Sequence, residues 1–423
     1  MSDQGARVAD RLGSELGSDR VTTSDERGVA GIAPPVVVVS PRSSQEVSAT
    51  IAIAREMDCG VVPVGGDTAP RCDDGCFAIA LSTASLDTVI DHAVDDLVLT
   101  AGAGTTLSAL ENAIRQHGHR LPFSAPFPDR STLGGAVACA AEGPTLHAYG
   151  ATRDQVLGVE IVHGDGRITR AGGKVVKNVT GYDLCRLYTG SRGVLGIITE
   201  VTVRLRPVER SACRLAWRFD DVRSAWEAGM TLREHFPALF ALHVVRGRGL
   251  DDVDGDGCAL IATLRGSEDL VEALGEACFE IDLGSTARTV LTPDAVSTIE
   301  EPVPEDGAWL RLCVLPSDGG RLLDTLEARM PSDPDLVLDV FSGLCDVTHS
   351  DPAFHDPVDE TALGADLQPL GAIVDRPSDP EFHLRRFHLF PSTQPQGAAI
   401  MGRLMTALDP DHILNPGRYE VSP

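Results

Sequence analysis

The sequence contains almost no lysine and no long apolar run. Only 2 of its 36 basic residues are lysine, and 62 acidic residues bring the net charge to -26 at neutral pH. Nucleic acids and anionic membranes bind basic surfaces, so this charge argues against both as partners. No stretch reaches the roughly 18 apolar residues of a membrane-spanning helix, and the N-terminal stretch has no apolar signal core. We therefore expect a cytoplasmic protein without a transmembrane segment, with peripheral membrane association left open.

The acidic excess comes mainly from aspartate, which supplies 40 of the 62 acidic residues. Such a surface stays hydrated through self-repulsion, which suits a cytoplasm rich in salt. A GC-rich genome would explain why arginine replaces lysine, but it would not explain the excess of aspartate. The charge balance therefore favours adaptation to salt.

Cysteine is present but follows no pattern. The ten cysteines are scattered, and the closest pair, Cys72 and Cys76, is separated by three residues. The sequence has no C-x-x-C motif and no run typical of an iron–sulfur cluster. We expect reduced and mostly buried thiols rather than a disulfide framework, and we predict no metal site.

A short strand followed by two glycines, VVPVGGDTAP, spans Val61 to Pro70. Ser43 and Glu46 form an S-x-x-E capping box for a helix before this strand, and the pattern predicts a β-α-β unit. A dinucleotide-binding Rossmann unit needs a helix directly after its glycines, whereas Pro70 and a turn follow here. Any phosphate at these glycines would therefore be held by the backbone amides of a turn.

The pattern changes near residue 209. Residues 86–208 are predicted to be mainly strand and turn, interrupted by two helices. From 209 onwards, strands and helices indicate an antiparallel sheet covered by helices, ferredoxin-like in style. The stretch 351–382 is rich in proline and aspartate and is predicted to be an irregular loop. One further helix is predicted over about 394–407.

The two lysines, Lys174 and Lys177, both lie in the motif GGKVVKNVTGYDL. Their clustering indicates a local need for a compact ammonium group, and two leftover surface lysines are the alternative. The longer stretch GGKVVKNVTGYDLCRLYTGSRGVLGIITEVTVRLRP resembles the signature region of the FAD-linked oxidase family, which has the vanillyl-alcohol-oxidase type of flavin fold. Together with EGPTLHAYGATRDQVLGVEIV and the tail LDPDHILNPGRY, it is most similar to the FAD-binding E subunit of glycolate oxidase.

The resemblance implies an α+β fold with three parts. A two-subdomain FAD-binding domain would occupy 1–208, with a β-α-β part over roughly 1–85 and an antiparallel sheet part over 86–208. A second, ferredoxin-like α+β domain would occupy 209–380. The C-terminal segment, 381–423, would return to the FAD-binding domain.

The resemblance also implies a flavin site made from three segments. The first segment, Pro63 to Thr68, would wrap the pyrophosphate. The second segment, Pro126 to Gly135, would pass under the ribityl chain and ring. The third segment, within Gly190 to Ile198, would line the adenosine end. Gly134 and Gly135 would let the backbone approach the flat ring. The implied site residues are Pro63, Gly65, Gly66, Asp67, Thr68, Pro126, Ser131, Thr132, Leu133, Gly134, Gly135, Gly190, Gly193, Gly196, Ile197 and Ile198. Because no histidine or cysteine attachment pattern lies beside these motifs, the FAD is expected to be noncovalent.

Asp67 departs from the family pattern, which usually has a third glycine at this position. The position is expected to need a positive φ, which aspartate tolerates better than most other residues. Its carboxylate would turn outward toward Arg71, and Thr68 would still offer a hydroxyl. The loop is therefore interpreted as a phosphate cradle with a tolerated defect.

Two motifs of the catalytic family members are missing. Members that oxidise D-2-hydroxy acids carry G-H-x-G-D-G-N-x-H and E-H-G-x-G, which bind a metal and supply a base, and this chain has neither. His383 and His388 are five residues apart, which is not the spacing of a helical two-histidine site. The catalytic residues are therefore unknown from the sequence.

Three functions stay open. The leading interpretation is an FAD-binding subunit of a glycolate oxidase or dehydrogenase complex, with a paralogous catalytic FAD/metal subunit and an iron–sulfur subunit as partners. The complex would oxidise a 2-hydroxy acid such as glycolate to the 2-oxo acid. The alternatives are a stand-alone FAD-dependent oxidoreductase with its substrate site in 209–380, and a structural subunit that has lost flavin through Asp67.

Overall fold

The chain forms two compact units. The computed structural model describes residues 3–24, 36–68, 78–174, 182–247, 250, 253, 257–295, 299, 308–330, 334–349, 366–370, 373–375 and 395–416. The first unit comprises Met1–Glu142, Ala151–Pro207 and Pro380–Pro423, and the second comprises Gly143–Gly150 and Val208–Asp379.

The first unit begins with a four-stranded sheet and two helices. The elements are α1 (Asp3–Leu16), β1 (Val21–Ser24), β2 (Val36–Val39), α2 (Ser44–Glu56), β3 (Gly60–Val64) and β4 (Ala78–Ser82). The strand order is β1-β2-β4-β3. Strands β2 and β3 both pair in parallel with β4, whereas β1 pairs antiparallel with β2. The predicted β-α-β unit is confirmed.

Helix α2 begins at the predicted cap. The Ser43 hydroxyl accepts a hydrogen bond from the amide of Glu46 at 3.2 Å, an interaction that typically stabilises a helix by about 1 kcal/mol. The Glu46 carboxylate accepts from the amide of Arg42 at 2.8 Å, one residue before the position that a capping box uses. The apolar positions of the pattern, Val47, Ile51 and Ala54, are fully buried.

A five-stranded antiparallel sheet forms the other part of the first unit. Its strands are β5 (Val89–Ala93), β6 (Val98–Gly102), β8 (Val156–Val162), β9 (Ile168–Gly172) and β10 (Ile197–Arg204), in the order β5-β6-β10-β8-β9. Strands β7 (His119–Arg120) and β11 (Arg206–Pro207) pair separately. The helices are α3 (Leu107–Arg115), α4 (Leu133–Ala138), α6 (Thr152–Gln155) and α7 (Leu184–Tyr188). Apolar side chains from the sheet and from α3, α4 and α7 share one core.

The C-terminal residues complete the first unit. Helix α11 (Pro395–Leu408) packs Leu404 and Leu408 against the core of the antiparallel sheet. Beyond it, the buried Asp409 accepts hydrogen bonds from the amides of Ile413 and Leu414, at 3.2 and 2.8 Å. Leu414 then forms a bridge with Val61 in β3. The last described residues are thereby fixed beside the strand that leads into the glycine loop.

The second unit contains one antiparallel sheet of eight strands. Its elements are α5 (Leu146–Tyr149), β12 (Ser211–Phe219), α8 (Val222–His235), β13 (Ala241–Arg246), β14 (Cys258–Gly266), α9 (Glu268–Glu280), β15 (Ala287–Leu291), β16 (Ala308–Cys313), α10 (Gly319–Arg329), β17 (Asp335–Asp339), β18 (Leu344–His349) and β19 (Ile373–Asp375). The strand order is β15-β12-β14-β13-β17-β18-β16-β19. Helices α8, α9 and α10 contribute to the large core of this unit.

The sheet is made of two halves with the same strand order. Numbered within each half, β15-β12-β14-β13 reads 4-1-3-2, and β19-β16-β18-β17 also reads 4-1-3-2. This is the order of a ferredoxin-like β-α-β-β-α-β fold. The halves join where β13 pairs antiparallel with β17. The predicted ferredoxin-like style is confirmed, and the duplication was not foreseen.

Strand β19 corrects the prediction of an irregular loop over 351–382. Residues Ile373–Asp375 pair antiparallel with β16 and form the last strand of the sheet. Proline and aspartate dominate the surrounding sequence, so the short apolar pair Ile373-Val374 did not stand out as a strand. Most other residues of that stretch lie outside the described part of the chain.

Residues Gly143–Gly150 group with the second unit although they precede most of it in the sequence. The ring of His147 stacks on Phe341 with centroids 3.6 Å apart. Tyr149 donates its hydroxyl to Glu209 and packs edge-on against Phe240. This segment belongs to the second unit because of its contacts with residues far along the chain, not because of its neighbours in the sequence.

His243 gives the second unit a pH-dependent stability. It lies opposite Asp339 on the next strand and is buried. Burial lowers its pKa, Arg214 acts in the same direction, and Asp339 opposes them. An unfolded histidine has a pKa of about 6.5. Below that pH the unfolded chain binds a proton that folded His243 resists, so stability is lost as the pH falls.

We expect His243→Gln to weaken this pH dependence. In the wild type, His243 should lower the free energy of unfolding by up to about 1.4 kcal/mol for each pH unit below about 6.5. Urea unfolding at pH 7.5 and 5.5 measures the difference. His235→Gln, at an exposed position of α8, is the matched control and should keep the wild-type dependence. Equal pH dependence in wild type and His243→Gln would contradict the assignment.

Candidate functional site

The loop after β3 has the backbone that the sequence predicts. Asp67 has a φ of 55°, in the left-handed region, so the expected positive φ is confirmed. Gly65 and Gly66 precede it without room for side chains. A Cβ on Gly65 would lie 2.3 Å from Thr132 Oγ1, and a Cβ on Gly66 would lie 1.8 Å from the carbonyl oxygen of Arg130. The two glycines therefore let this loop approach the segment 130–132.

Polar contacts hold the two loops together. The hydroxyls of Thr68 and Ser131 are 3.1 Å apart, and Ser131 also donates to the carbonyl of Pro126 at 2.5 Å. The guanidinium of Arg130 donates to the carbonyls of Gly66 and Asp67, at 3.4 and 3.3 Å. Arg71, the predicted partner of Asp67, lies outside the described residues.

The amides of the glycine turn are available to a ligand. Among the described residues, the amides of Gly65 and Gly66 meet no hydrogen-bond acceptor. Successive backbone amides in a turn of this kind bind anions such as phosphate. The turn is therefore suited to a phosphate group, as the sequence predicts.

Gly134 is crowded by the protein itself. Its amide donates to the carbonyl of Ala103 at 2.8 Å, and a Cβ at Gly134 would lie 2.5 Å from the Cβ of Ala103. A Cβ at Gly135 would lie 3.0 Å from the Thr132 hydroxyl that caps α4. The protein itself, not only a cofactor, excludes side chains here. Leu133 is fully buried in the core of this unit.

The third segment closes against the first two. Gly190 and Gly193 both have a φ of 80°. Gly190 donates to the carbonyl of Val137 at 3.0 Å, and a Cβ on Gly193 would lie 2.6 Å from Pro63 Cγ. Gly196, with a φ of 153°, is crowded by Ile161, 2.3 Å from the position of its Cβ. Ile197 and Ile198 start β10 and are buried.

The structure thus brings the three predicted segments together. Thr68 contacts Ser131, Gly193 lies so near Pro63 that a Cβ would clash with it, and Gly190 contacts the end of α4. The sequence analysis missed Arg130, which ties the glycine turn to the second segment, and Asn415, which lies in the C-terminal tail. Asn415 is one of only three asparagines in the chain, and that rarity was the available signal.

Lys174 lies at the surface, in an ion pair with Asp91 at 2.8 Å. The hydrogen bond from Lys174 lowers the pKa of Asp91. Lys177 lies outside the described residues. The described lysine therefore makes a surface ion pair and gives no support to a special chemical role.

Metal and thiol chemistry find little support in the described part of the chain. No group of three or more His, Cys, Asp or Glu side chains in it could hold a metal. His383 and His388 lie outside it. Its eight cysteines are free, and burial raises the pKa of Cys59 and Cys185 to about 11. No helix in the described residues is long and apolar enough to cross a membrane.

Charged side chains of the second sheet bind one another, a tryptophan ring or a backbone carbonyl. Asp346 accepts hydrogen bonds from Arg311 at 2.7 and 2.9 Å and from the Trp309 ring at 2.8 Å. Arg218 donates to the carbonyl of Val253 at 3.0 Å. These contacts stabilise the sheet, and they single out no substrate residue among the described residues of 209–380.

A chain with a two-part first unit that carries converging glycine loops, and with a ferredoxin-like second unit, has the fold of vanillyl-alcohol-oxidase type flavoproteins. The solved structure of 4-ethylphenol oxidase from Gulosibacter chungangensis matches all of this chain and 98% of its own, with a TM-score of 0.77 and 15% identity. Residues 35–172 match the family model of the FAD binding domain. This part of the chain is an FAD-binding domain, and the predicted resemblance and α+β fold are confirmed.

Parts of the chain are also similar in sequence to curated proteins. D-lactate dehydrogenase from Archaeoglobus fulgidus is 39% identical over 194 residues, which cover 45% of this chain and 43% of that protein. Glycolate oxidase subunit GlcE from Escherichia coli is 41% identical over 128 residues, which cover 30% of this chain and 37% of that subunit. The chain spans less than half the length of these two relatives.

Proposed function

We propose that this protein is an FAD-dependent oxidoreductase subunit that supports oxidation of a 2-hydroxy acid to the 2-oxo acid. The observation that carries the proposal is the convergence of three separated glycine segments around a turn whose Gly65 and Gly66 amides meet no acceptor among the described residues. The similarity to proteins named D-lactate dehydrogenase and glycolate oxidase subunit supports the substrate class. Glycolate is the first substrate to test.

The residues present fit FAD. The amides of Gly65 and Gly66 and the hydroxyl of Thr68 would hold the pyrophosphate, and the segment Pro126–Gly135 would lie beneath the flavin. The buried Ser191 hydroxyl, which lacks a partner among the described residues, supplies a further polar group. When bound, FAD would supply a group that carries two electrons. The chain itself would bind and orient the cofactor.

The subunit role is the finer part of the proposal. We propose a complex with a paralogous catalytic FAD/metal subunit and an iron–sulfur subunit, because this chain lacks the two histidine-containing motifs of catalytic members. The similarity to a protein named as a subunit of glycolate oxidase supports this role. Adaptation to salt is proposed from the charge alone.

The purified protein should carry FAD noncovalently. No cysteine or histidine attachment motif lies beside the loops, and acid precipitation should therefore release yellow FAD into the supernatant. A colourless protein that takes up no added FAD contradicts flavin binding. Flavin that stays with the pellet contradicts only noncovalent attachment.

Glycolate-dependent dye reduction then separates the two enzymatic roles. The subunit role predicts that flavin-loaded protein alone reduces no dye, and that activity appears when the metal-site paralogue is added. Turnover by the isolated chain favours the stand-alone oxidoreductase instead. Flavin absorbance in the same sample distinguishes either result from a structural subunit without cofactor.

A further inference from the structure

The turn at Ser191 is held in an unusual backbone conformation. Gly190, Arg192 and Gly193 have φ values of 80°, 51° and 80°. Arg192 is not a glycine, so its left-handed conformation costs free energy that the surroundings must offset. Its amide donates to the carbonyl of Ala138, at the end of α4, at 2.8 Å. The turn is thus fixed from one side by the second segment of the cofactor site.

Ser191, inside this turn, has a buried hydroxyl without a protein partner. The residue is 5% exposed, and Oγ meets no hydrogen-bond partner among the described residues. The backbone of Ser191 is satisfied, since its amide donates to Tyr188 and its carbonyl accepts from Val194. A buried hydroxyl without a partner is unfavourable. A ligand that supplies the partner would remove this cost.

Asn415 fixes the turn from the opposite side. Its side-chain amide donates to the carbonyl of Arg192 at 2.6 Å, and its backbone amide donates to the carbonyl of Val61 at 2.8 Å. Asn415 has a φ of 48°, which asparagine tolerates better than most residues. One residue of the C-terminal tail therefore joins the Ser191 turn to strand β3, which leads directly into Gly65 and Gly66.

The position of the turn indicates which part of a ligand it meets. A Cβ on Gly193 would lie 2.6 Å from the ring of Pro63, two residues before Gly65. The Ser191 turn is therefore adjacent to the amides that suit a phosphate group. Arg130 binds the carbonyl of Gly66 in the same turn.

Resting on the proposed binding of FAD, we propose that the Ser191 hydroxyl binds the phosphate-bearing half of the cofactor and that Asn415 is the residue that positions it. The hydroxyl acts as a donor to the ligand. Asn415 acts through Arg192, whose carbonyl it holds, and it makes no contact with the ligand in this proposal.

Ser191→Ala is the direct test. The variant loses one hydrogen bond, so FAD should bind about threefold to tenfold more weakly. ADP, measured as a competitor, should weaken by the same factor, whereas riboflavin, which has no phosphate, should be unaffected. Titration calorimetry or flavin fluorescence gives these constants. Ser14→Ala, on the exposed side of α1, is the matched control.

Asn415→Gly and Asn415→Asp test the positioning role. Glycine keeps the positive φ and removes the donor, and aspartate keeps the size but sets a carboxylate against the Arg192 carbonyl. Both should weaken FAD and ADP about threefold to tenfold and leave riboflavin unchanged. The double variant Ser191→Ala/Asn415→Gly should bind FAD as tightly as the single variant with the lower affinity. The two effects should not add, because both substitutions act through the same contact to the ligand.

The outcomes separate the two proposals. A wild-type protein that binds neither FAD nor ADP overturns the proposed function, and this inference with it. Wild-type affinity in Ser191→Ala, with FAD bound by the parent protein, overturns this inference alone. Equal weakening of ADP and riboflavin in the Asn415 variants overturns the positioning role. If Asn415→Gly does not fold, Ser191→Ala still decides the hydroxyl contact.

Discussion

Gly134→Val is expected to abolish FAD retention while the second unit stays folded. The valine side chain would start 2.5 Å from the Cβ of Ala103 and 3.0 Å from its carbonyl oxygen, so α4 must move. Overpacking of this kind typically costs about 1 to 3 kcal/mol. Gly196→Val is expected to act in the same way, because Ile161 occupies the space beside it. Flavin absorbance after gel filtration measures retention.

Thermal unfolding of the cofactor-free protein shows why Gly134→Val loses FAD. If Ala103 is the obstacle, the first unit should lose stability even without FAD. Gly134→Ala should show a smaller loss, and Ala103→Gly in the same chain should restore part of it. Gly13→Ala, in α1, is the control, because its Cβ would meet only Ser18 Cα at an ordinary 3.8 Å, and it should stabilise the protein by about 0.5 to 1 kcal/mol. Full flavin occupancy in Gly134→Val would show that the cofactor site is misplaced.

Asp67→Gly is expected to tighten FAD binding. At about 6 Å and an effective dielectric near 20, repulsion between this carboxylate and one phosphate charge is about 2 to 3 kcal/mol before screening. Glycine also adopts the observed φ of 55° without strain. The gain should reach up to about tenfold for each 1.4 kcal/mol recovered. It should be larger in dilute buffer than in molar salt, where the Debye length is about 3 Å.

Titration of the cofactor-free protein with FAD at low and high salt measures this effect. Asp67→Asn is the matched control, because it removes the charge and keeps both the size and the tolerance of a positive φ. Arg130 already donates to the carbonyl of Asp67, so the loop has a second attachment that survives either change. Weaker binding by Asp67→Gly at both salts would make Asp67 part of the scaffold of the cradle.

Local patterns in the sequence predicted the elements that depend on neighbouring residues. The cap at Ser43 and the apolar face of α2 follow from spacing alone. The positive φ at Asp67 was predicted because the family usually has glycine there. Each of these features is decided within a few residues of the chain, which is the range that propensity and capping rules cover.

Contacts between distant segments were not predictable in this way. The crowding of Gly134 by Ala103, the bond from Asn415 to Arg192 and the stacking of His147 on Phe341 all depend on how segments meet after folding. The sequence showed that Gly134 needed space, and it assigned that space to a cofactor because no neighbour was known. The strand β19 escaped because three residues carry too short a pattern.

The return of the C-terminal tail to the first unit has a consequence for biosynthesis. Arg55 and Asp411 form an ion pair although they are 356 positions apart, and Asn415 completes the contacts of β3. At about 5 to 20 residues per second, a ribosome needs roughly 20 to 70 s to travel between them. The nascent first unit therefore lacks the contacts of its C-terminal tail until synthesis ends. The second unit, which is nearly continuous in sequence, is made before that tail and can already fold. A messenger cut short near its end would yield a protein with an intact second unit and an incomplete flavin site.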